Sequence, residues 1–304
     1  MRTAVWQHTA VAVKEVTLAG GTRLDAGAVA ALHAEVALHW SLRHPHIVAV
    51  FGSFEDLSDP ARPRYGIVME LCARSVYAAL HPPPGLGPGA SPAHPPLTPA
   101  ARLRICVDVA SGLAYLHAQS PAVVHADLKS LNVLLDEHGK AKLADFGLSS
   151  FRSTLQLHSQ LSTGGGGGAG TGVGTLLWMA PELHSDESRG GRPARPSLAS
   201  DVYALGVTLW EVLSGALPFS HVEHLNYASL PFLVLRGERP SLAQLAPGAP
   251  DGVAQLLAAL WAHKPSERPS ASEAVAALRR LGGADTTPLR ATAAAAAAGR
   301  AQRR

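Results

Sequence analysis

His125-Ala126-Asp127-Leu128-Lys129-Ser130-Leu131-Asn132 is the stretch on which the reading of this chain turns. It is a polar turn between two short apolar runs, Val123–Val124 and Val133–Leu135, each expected to be a strand. Ten residues past Leu135 stands Asp145-Phe146-Gly147, and Gly174-Thr175-Leu176-Leu177-Trp178-Met179 later runs into Ala180-Pro181-Glu182. Upstream, Val11-Ala12-Val13-Lys14 lies in a β-rich segment, Thr9–Val16. Glu35 falls within Asp25–Leu42, where Val29, Leu32, Val36 and Ala37 recur at helical spacing.

Composition bounds what such a chain can be. With 304 residues, 47% hydrophobic and 16% charged, most of it can bury a core. The length fits two compact units or one enzyme domain with two lobes. Cys72 and Cys106 have no disulfide or zinc spacing and read as small buried apolar groups. The formal charge of +3 is spread along the chain rather than massed in a patch, which argues against a nucleic-acid binder. No stretch reaches the roughly 18 apolar residues of a membrane span, and Val202–Phe219 reads as a buried helix plus turn. Gln7, His8 and Lys14 interrupt any signal-peptide core, so a soluble cytoplasmic protein is expected.

The first 70 residues read as a small sheet with one helix. Ile47–Phe54 and Tyr65–Leu71 supply two more strands around a polar turn, Glu55–Arg64, and Gly20-Gly21 forms another turn. Helices dominate from Ser75, with Leu103–His117, Asp201–Ser214, Val253–Trp261 and Ala271–Leu281 as the clear ones. The Pro/Gly-rich stretch Pro82–Pro99 reads as a solvated insertion, with a PxxP motif conceivable at Pro92–Pro95. From Gly282 an Ala-rich tail ends in Arg-Arg and is read as low-complexity, outside the core.

In order, spacing and context the quoted motifs resemble a eukaryotic protein kinase of the tyrosine-kinase-like group, the Raf-like and mixed-lineage enzymes, over residues 1–281. The resemblance implies an α+β, bilobal fold with a small N-lobe (1–71) and a larger helical C-lobe (72–281). It implies ATP and Mg2+ as cofactors and a protein substrate with a Ser/Thr acceptor. Phosphoryl transfer asks for positioning and charge neutralisation rather than covalent chemistry. The resemblance assigns Asp127 to accept the substrate hydroxyl proton and Lys129 to reach the γ-phosphate. Asn132 and Asp145 supply the hard oxygen ligands that magnesium requires. Lys14, steadied by Glu35, holds the α/β-phosphates. Met69 becomes the gatekeeper, the backbone of Glu70 to Cys72 reads adenine, and Ala12 and Leu134 sandwich it. Lys129 with Thr175 points to serine/threonine specificity. Glu182 with Arg268 resembles the buried pair that anchors the activation segment, and Asp201 the carboxylate that holds the His125 turn.

Two departures qualify the resemblance. Counting back from Lys14, Met1 aligns with the valine that follows the family's Gly-x-Gly-x-x-Gly loop, so that loop and its strand are expected to be absent, through an incomplete gene model or an alternative start. Two or three lost charge-assisted hydrogen bonds, roughly 1.5–3 kcal/mol each, would weaken ATP engagement by about two decades or more. The run Gly164–Gly174 contains a formal match at Gly165, Gly167 and Gly170, but it follows no strand and opens no helix. The second departure is Ala126, where most of the family has arginine. Alanine cannot clamp a phosphate, so phosphorylation among Ser149 to Thr175 is not expected to switch the protein by that route. A pseudokinase acting as a binding scaffold is the alternative. The missing glycine loop favours it, and the retained polar residues oppose it.

Overall fold

A hairpin opens the computed structural model, which describes residues 1–16, 26–59, 64–82, 96–146, 173–184 and 194–283. Its strands are β1 (Arg2–Trp6) and β2 (Thr9–Val16), with Trp6 opposite Thr9 and Arg2 opposite Val13. Gln7 and His8 both take positive φ, 48° and 65°. Such two-residue turns match the right-handed twist of the strands they join. β1 carries no strand signal in the sequence, because five residues are too few to display an alternation.

β2 pairs with β4 (Arg64–Glu70), which pairs with β3 (Val50–Asp56), giving an antiparallel sheet of order β1-β2-β4-β3. Lys14 lies opposite Ile67 and Ala12 opposite Met69. Helix α1 (Ala26–Ser41) covers the sheet. Leu32 and Val36 join Ala12, Val48, Val50, Tyr65, Ile67 and Met69 in one apolar cluster. Ala37, expected on that face, is exposed. The strands also run further into the expected Glu55–Arg64 turn, to Asp56 on one side and from Arg64 on the other, and these two side chains pair across it.

The larger core surrounds α4 (Leu198–Ser214), in which every residue from Ser200 to Leu213 is buried. A helix apolar on all sides belongs at the centre of a domain. Ser197 and Ser200 close a capping box at its start, and Gly215 ends it at φ 75°. Around it pack α2 (Val76–Leu80), α3 (Pro99–His117), α5 (Leu230–Leu235), α6 (Val253–Leu260) and α7 (Ala271–Leu281). A second sheet, β5 (Arg74–Ser75), β6 (Val133–Leu135) and β7 (Ala141–Leu143), sits at the junction of the two cores. The junction is tied by backbone: Val48 N donates to Leu143 O at 2.9 Å, and Leu143 N donates to His46 O at 2.9 Å. A Cβ on Gly112 of α3 would stand 2.6 Å from that His46 oxygen, so only glycine lets the helix approach this loop.

The result is the expected α+β arrangement of two unequal lobes. Three local expectations need correction. Val123–Val124 is not a strand; Val123 N donates instead to Leu116 O at the end of α3, 3.0 Å away. The strand expected from Ile47 begins at Val50, Ile47 making only an isolated bridge to Leu143. Helix α3 starts at Pro99 rather than Leu103, because Thr98 caps it and proline suits the first helical position. The Gly20-Gly21 turn, Pro92–Pro95, the Gly164–Gly170 run and the tail beyond Gly283 lie outside the described residues.

Candidate active site

Among the described residues, the Asp127 carboxylate gathers three donors. Lys129 Nζ donates to Oδ1 at 2.8 Å, Thr175 Oγ1 to the same oxygen at 3.3 Å, and Asn132 Nδ2 to Oδ2 at 2.9 Å. Lys129 Nζ also donates to Thr175 Oγ1 at 2.7 Å, so residues 48 apart close one cluster. Asp127 and Lys129 side chains are each only 12% exposed, where an ion pair is little screened.

The shape of the 125–132 turn explains this convergence. Ala126 sits at φ 65°, a left-handed conformation that costs an L-residue roughly 1–2 kcal/mol. Buried Asp201 holds it there, its Oδ2 accepting from His125 N at 2.7 Å and its Oδ1 from Ala126 N at 2.9 Å. His117 Nε2 completes that carboxylate at 3.0 Å. Burial lowers the pKa of the fully enclosed His125, keeping it neutral beneath the turn. Next, Ser130–Asn132 forms a single 3-10 turn into β6.

Asp145 follows β7 and also takes positive φ, 61°. Lys14 Nζ lies 2.5 Å from Asp145 Oδ1, spanning the junction of the lobes. The expected Lys14–Glu35 pair falls on a side chain outside the described residues. Asn132 spends its amide N–H groups on Asp127, on the backbone oxygen at 2.7 Å and on Oδ2, which leaves its carbonyl oxygen as an acceptor. An amide oxygen and a carboxylate are the donors a hard divalent cation takes, so this pair fits magnesium.

Ala12 and Met69 are buried in the small-lobe cluster, with Cys72 and Leu134 packed against it. Four residues expected around a base therefore share one apolar wall. Burial pushes the Cys72 thiol up to about 11, so it stays a neutral surface. One part of the expectation changes: Glu70 N donates to Ala49 O at 2.8 Å, so that amide is committed to the sheet and not available to a ligand. The Glu70 carboxylate pairs with Lys142.

Behind the cluster, Arg268 forks onto Glu182 with bonds of 2.7 and 2.8 Å, the pair that the family resemblance implies. His39 was not singled out from sequence. It lies on the buried face of α1, three residues past Val36, and stacks on Phe146 with ring centroids 4.1 Å apart. The signal was its place in the Leu32, Val36, His39 series of one helical face. Burial lowers its pKa to about 4.

A protein kinase domain model matches residues 2–278. The chain is 32% identical to a probable serine/threonine-protein kinase SIS8 of Arabidopsis thaliana over 91% of its length, covering 23% of that relative. It is 34% identical to serine/threonine-protein kinase CTR1 of Arabidopsis thaliana over 81% of its length, covering 26% of that relative. With receptor-interacting serine/threonine-protein kinase 3 of Homo sapiens it shares 39% identity over 56% of its length, covering 31% of that relative. The chain thus spans about a quarter to a third of the length of these curated relatives. Match and architecture agree from the first hairpin to the last helix: the chain belongs to the protein kinase family.

Proposed function

We propose that this chain is the catalytic domain of a serine/threonine protein kinase of the tyrosine-kinase-like group, spanning residues 1–281, that transfers the ATP γ-phosphate to hydroxyls of protein substrates. The observation that carries the reading is the closed cluster of Asp127, Lys129, Asn132 and Thr175. Asp127 accepts the proton of the incoming hydroxyl; its three donors fix the carboxylate in one orientation, and positioned proton transfer contributes typically 10²–10⁴-fold. Lys129 neutralises charge that develops on the transferred phosphoryl group, at low exposure where each charge counts for more. Thr175 holds Lys129 and Asp127 together, bringing the segment that would seat a peptide into register with the base.

Lys14 and Asp145 would take up the phosphates and the cation respectively, with Glu35 on α1 as the second partner of Lys14. Asn132 and Asp145 would hold magnesium, which when bound neutralises phosphate oxygens and aligns the phosphoryl group. Ala12, Met69, Cys72 and Leu134 supply the apolar walls for adenine, with backbone contacts from Glu70 to Cys72 other than the committed Glu70 amide. Among the described residues no helix is long and apolar enough to cross a membrane.

Phosphotransfer to a generic Ser/Thr substrate, measured beside Asp127→Asn, tests the reading. Activity in the parent chain and at least a hundredfold loss in the variant is expected. Equal background in both would leave the binding-scaffold alternative.

A further inference from the structure

We propose that Glu211 and His81 are positioning residues for phosphoryl transfer, and that they hold the 125–132 turn through the hydroxyl of Ser130. The inference rests on the kinase reading for its reaction and on separate geometry for its mechanism.

Glu211 lies on α4 with a side chain 0% exposed. Its Oε1 accepts from Ser130 Oγ at 2.8 Å and from His81 Nε2 at 3.0 Å. A buried carboxyl group is retained at such a site only with strong donors, because its desolvation is costly. Burial raises its pKa, while His81, Ser130 and Trp178 all oppose that and favour the carboxylate. The three come from three separate elements. His81 caps the C-terminal end of α2, one residue before Pro82. Ser130, 0% exposed, lies between Lys129 and Asn132 in the turn. Trp178 ends the 173–178 segment that carries Thr175. Its indole is near enough to Glu211 to favour the carboxylate, but no hydrogen bond joins them: Nε1 and Oε2 are each buried without a partner among the described residues.

The helix that supplies Glu211 also supplies Asp201, ten residues earlier and ~15 Å along its axis at 1.5 Å per residue. Asp201 grips the amides of His125 and Ala126. Glu211 grips the hydroxyl of Ser130. The turn is therefore strung between two buried carboxylates of one fully buried helix, and Asp127 and Lys129 lie on the span between them. Loss of the Glu211 grip frees the end that carries Lys129 and Asn132 and leaves the Asp201 end in place. Misplacement of reacting groups by about 1 Å can cost 10²-fold in rate.

The test compares Ser130→Ala, His81→Leu, their double variant and His81→Gln, which retains a donor. Two readouts are taken: steady-state phosphotransfer to a generic Ser/Thr peptide, and hydrogen–deuterium exchange at the amides of residues 125–132. Each single variant is expected to lower kcat about tenfold with KM for ATP and peptide unchanged. The double variant should lose little more than either single one, because both act through one oxygen of Glu211. His81→Gln should recover to within about threefold of the parent. Exchange at residues 129–132 should speed up in the losing variants, with residues 125–126 and α4 unchanged. Unchanged kcat and exchange, a loss that only follows the unfolded fraction, or an additive hundredfold loss in the double variant would overturn the proposal. A parent chain no more active than Asp127→Asn defeats the kinase reading instead, and the exchange pattern then decides the positioning role alone.

Discussion

Arg268 holds Glu182 in a two-pronged clasp, Nη1 to Oε1 at 2.7 Å and Nη2 to Oε2 at 2.8 Å. The same guanidinium donates to the carbonyls of Ala199, Ala262 and His263 and lies 5.1 Å from the centre of the Tyr203 ring. Its side chain is 0% exposed. One planar cation thus ties the 181–183 turn to the start of α4 and to the approach to α7. Lysine cannot reproduce the fork. Arg268→Lys is expected to destabilise the fold by about 3 kcal/mol, the scale for breaking one partner of a buried pair. Urea denaturation should show the midpoint falling at constant slope.

Ala126 pays for its left-handed φ of 65°, and Asp201 enforces it. Ala126→Gly relieves that strain of roughly 1–2 kcal/mol and loses roughly 0.5–1 kcal/mol to the freer unfolded chain. A net gain of about 0.5–1 kcal/mol is expected in thermal or chemical unfolding. A loss of stability would show that the backbone strain is not what the contacts at Asp201 sustain.

His39 makes stability depend on pH. Its pKa falls from 6.5 to about 4 in the folded chain, chiefly through burial, so between these values the unfolded chain binds the extra proton. Stability from this residue is fully present above about pH 6.5 and is lost as pH falls toward 4, worth about 3 kcal/mol at 1.36 kcal/mol per unit. His125 and His184 shift in the same direction, again through burial first. His39→Leu should flatten the slope of unfolding free energy between pH 4.5 and 6.5. An unchanged slope would show that His39 is not the group that titrates.

The Thr175 hydroxyl is hydrogen-bonded to both Asp127 and Lys129. Thr175→Val preserves the shape and removes both hydrogen bonds. A fall in kcat of about tenfold is expected, with KM for ATP unchanged. A variant with parent kcat would place Thr175 outside the reacting cluster.

Motif chemistry was the legible part of this sequence. The family resemblance set Thr175 beside Lys129, 46 residues away, and their side chains meet at 2.7 Å; it set Lys14 beside Glu35, and the contact found among the described side chains is with Asp145. Short elements were less legible. β1 and β7 have five and three residues and take their identity from partners across the sheet, which local pattern does not reveal. Val123 has strand propensity, yet its amide is taken by the end of α3. Thr98 and Pro99 carried a helix-start signal that the surrounding prolines masked. The buried links of Glu211 and His39 depend on contacts between distant elements, so neither stood out in the chain.

Asp127 and Lys129 are proposed to form a working phosphoryl-transfer centre. Single-turnover phosphotransfer from labelled ATP to a Ser/Thr peptide, with the parent chain, Asp127→Asn and Lys129→Met at matched folded concentration, tests it most directly. Phosphopeptide is expected from the parent chain, with the rate reduced at least a hundredfold in both variants. Equal phosphopeptide from all three, or background from all three, would contradict it.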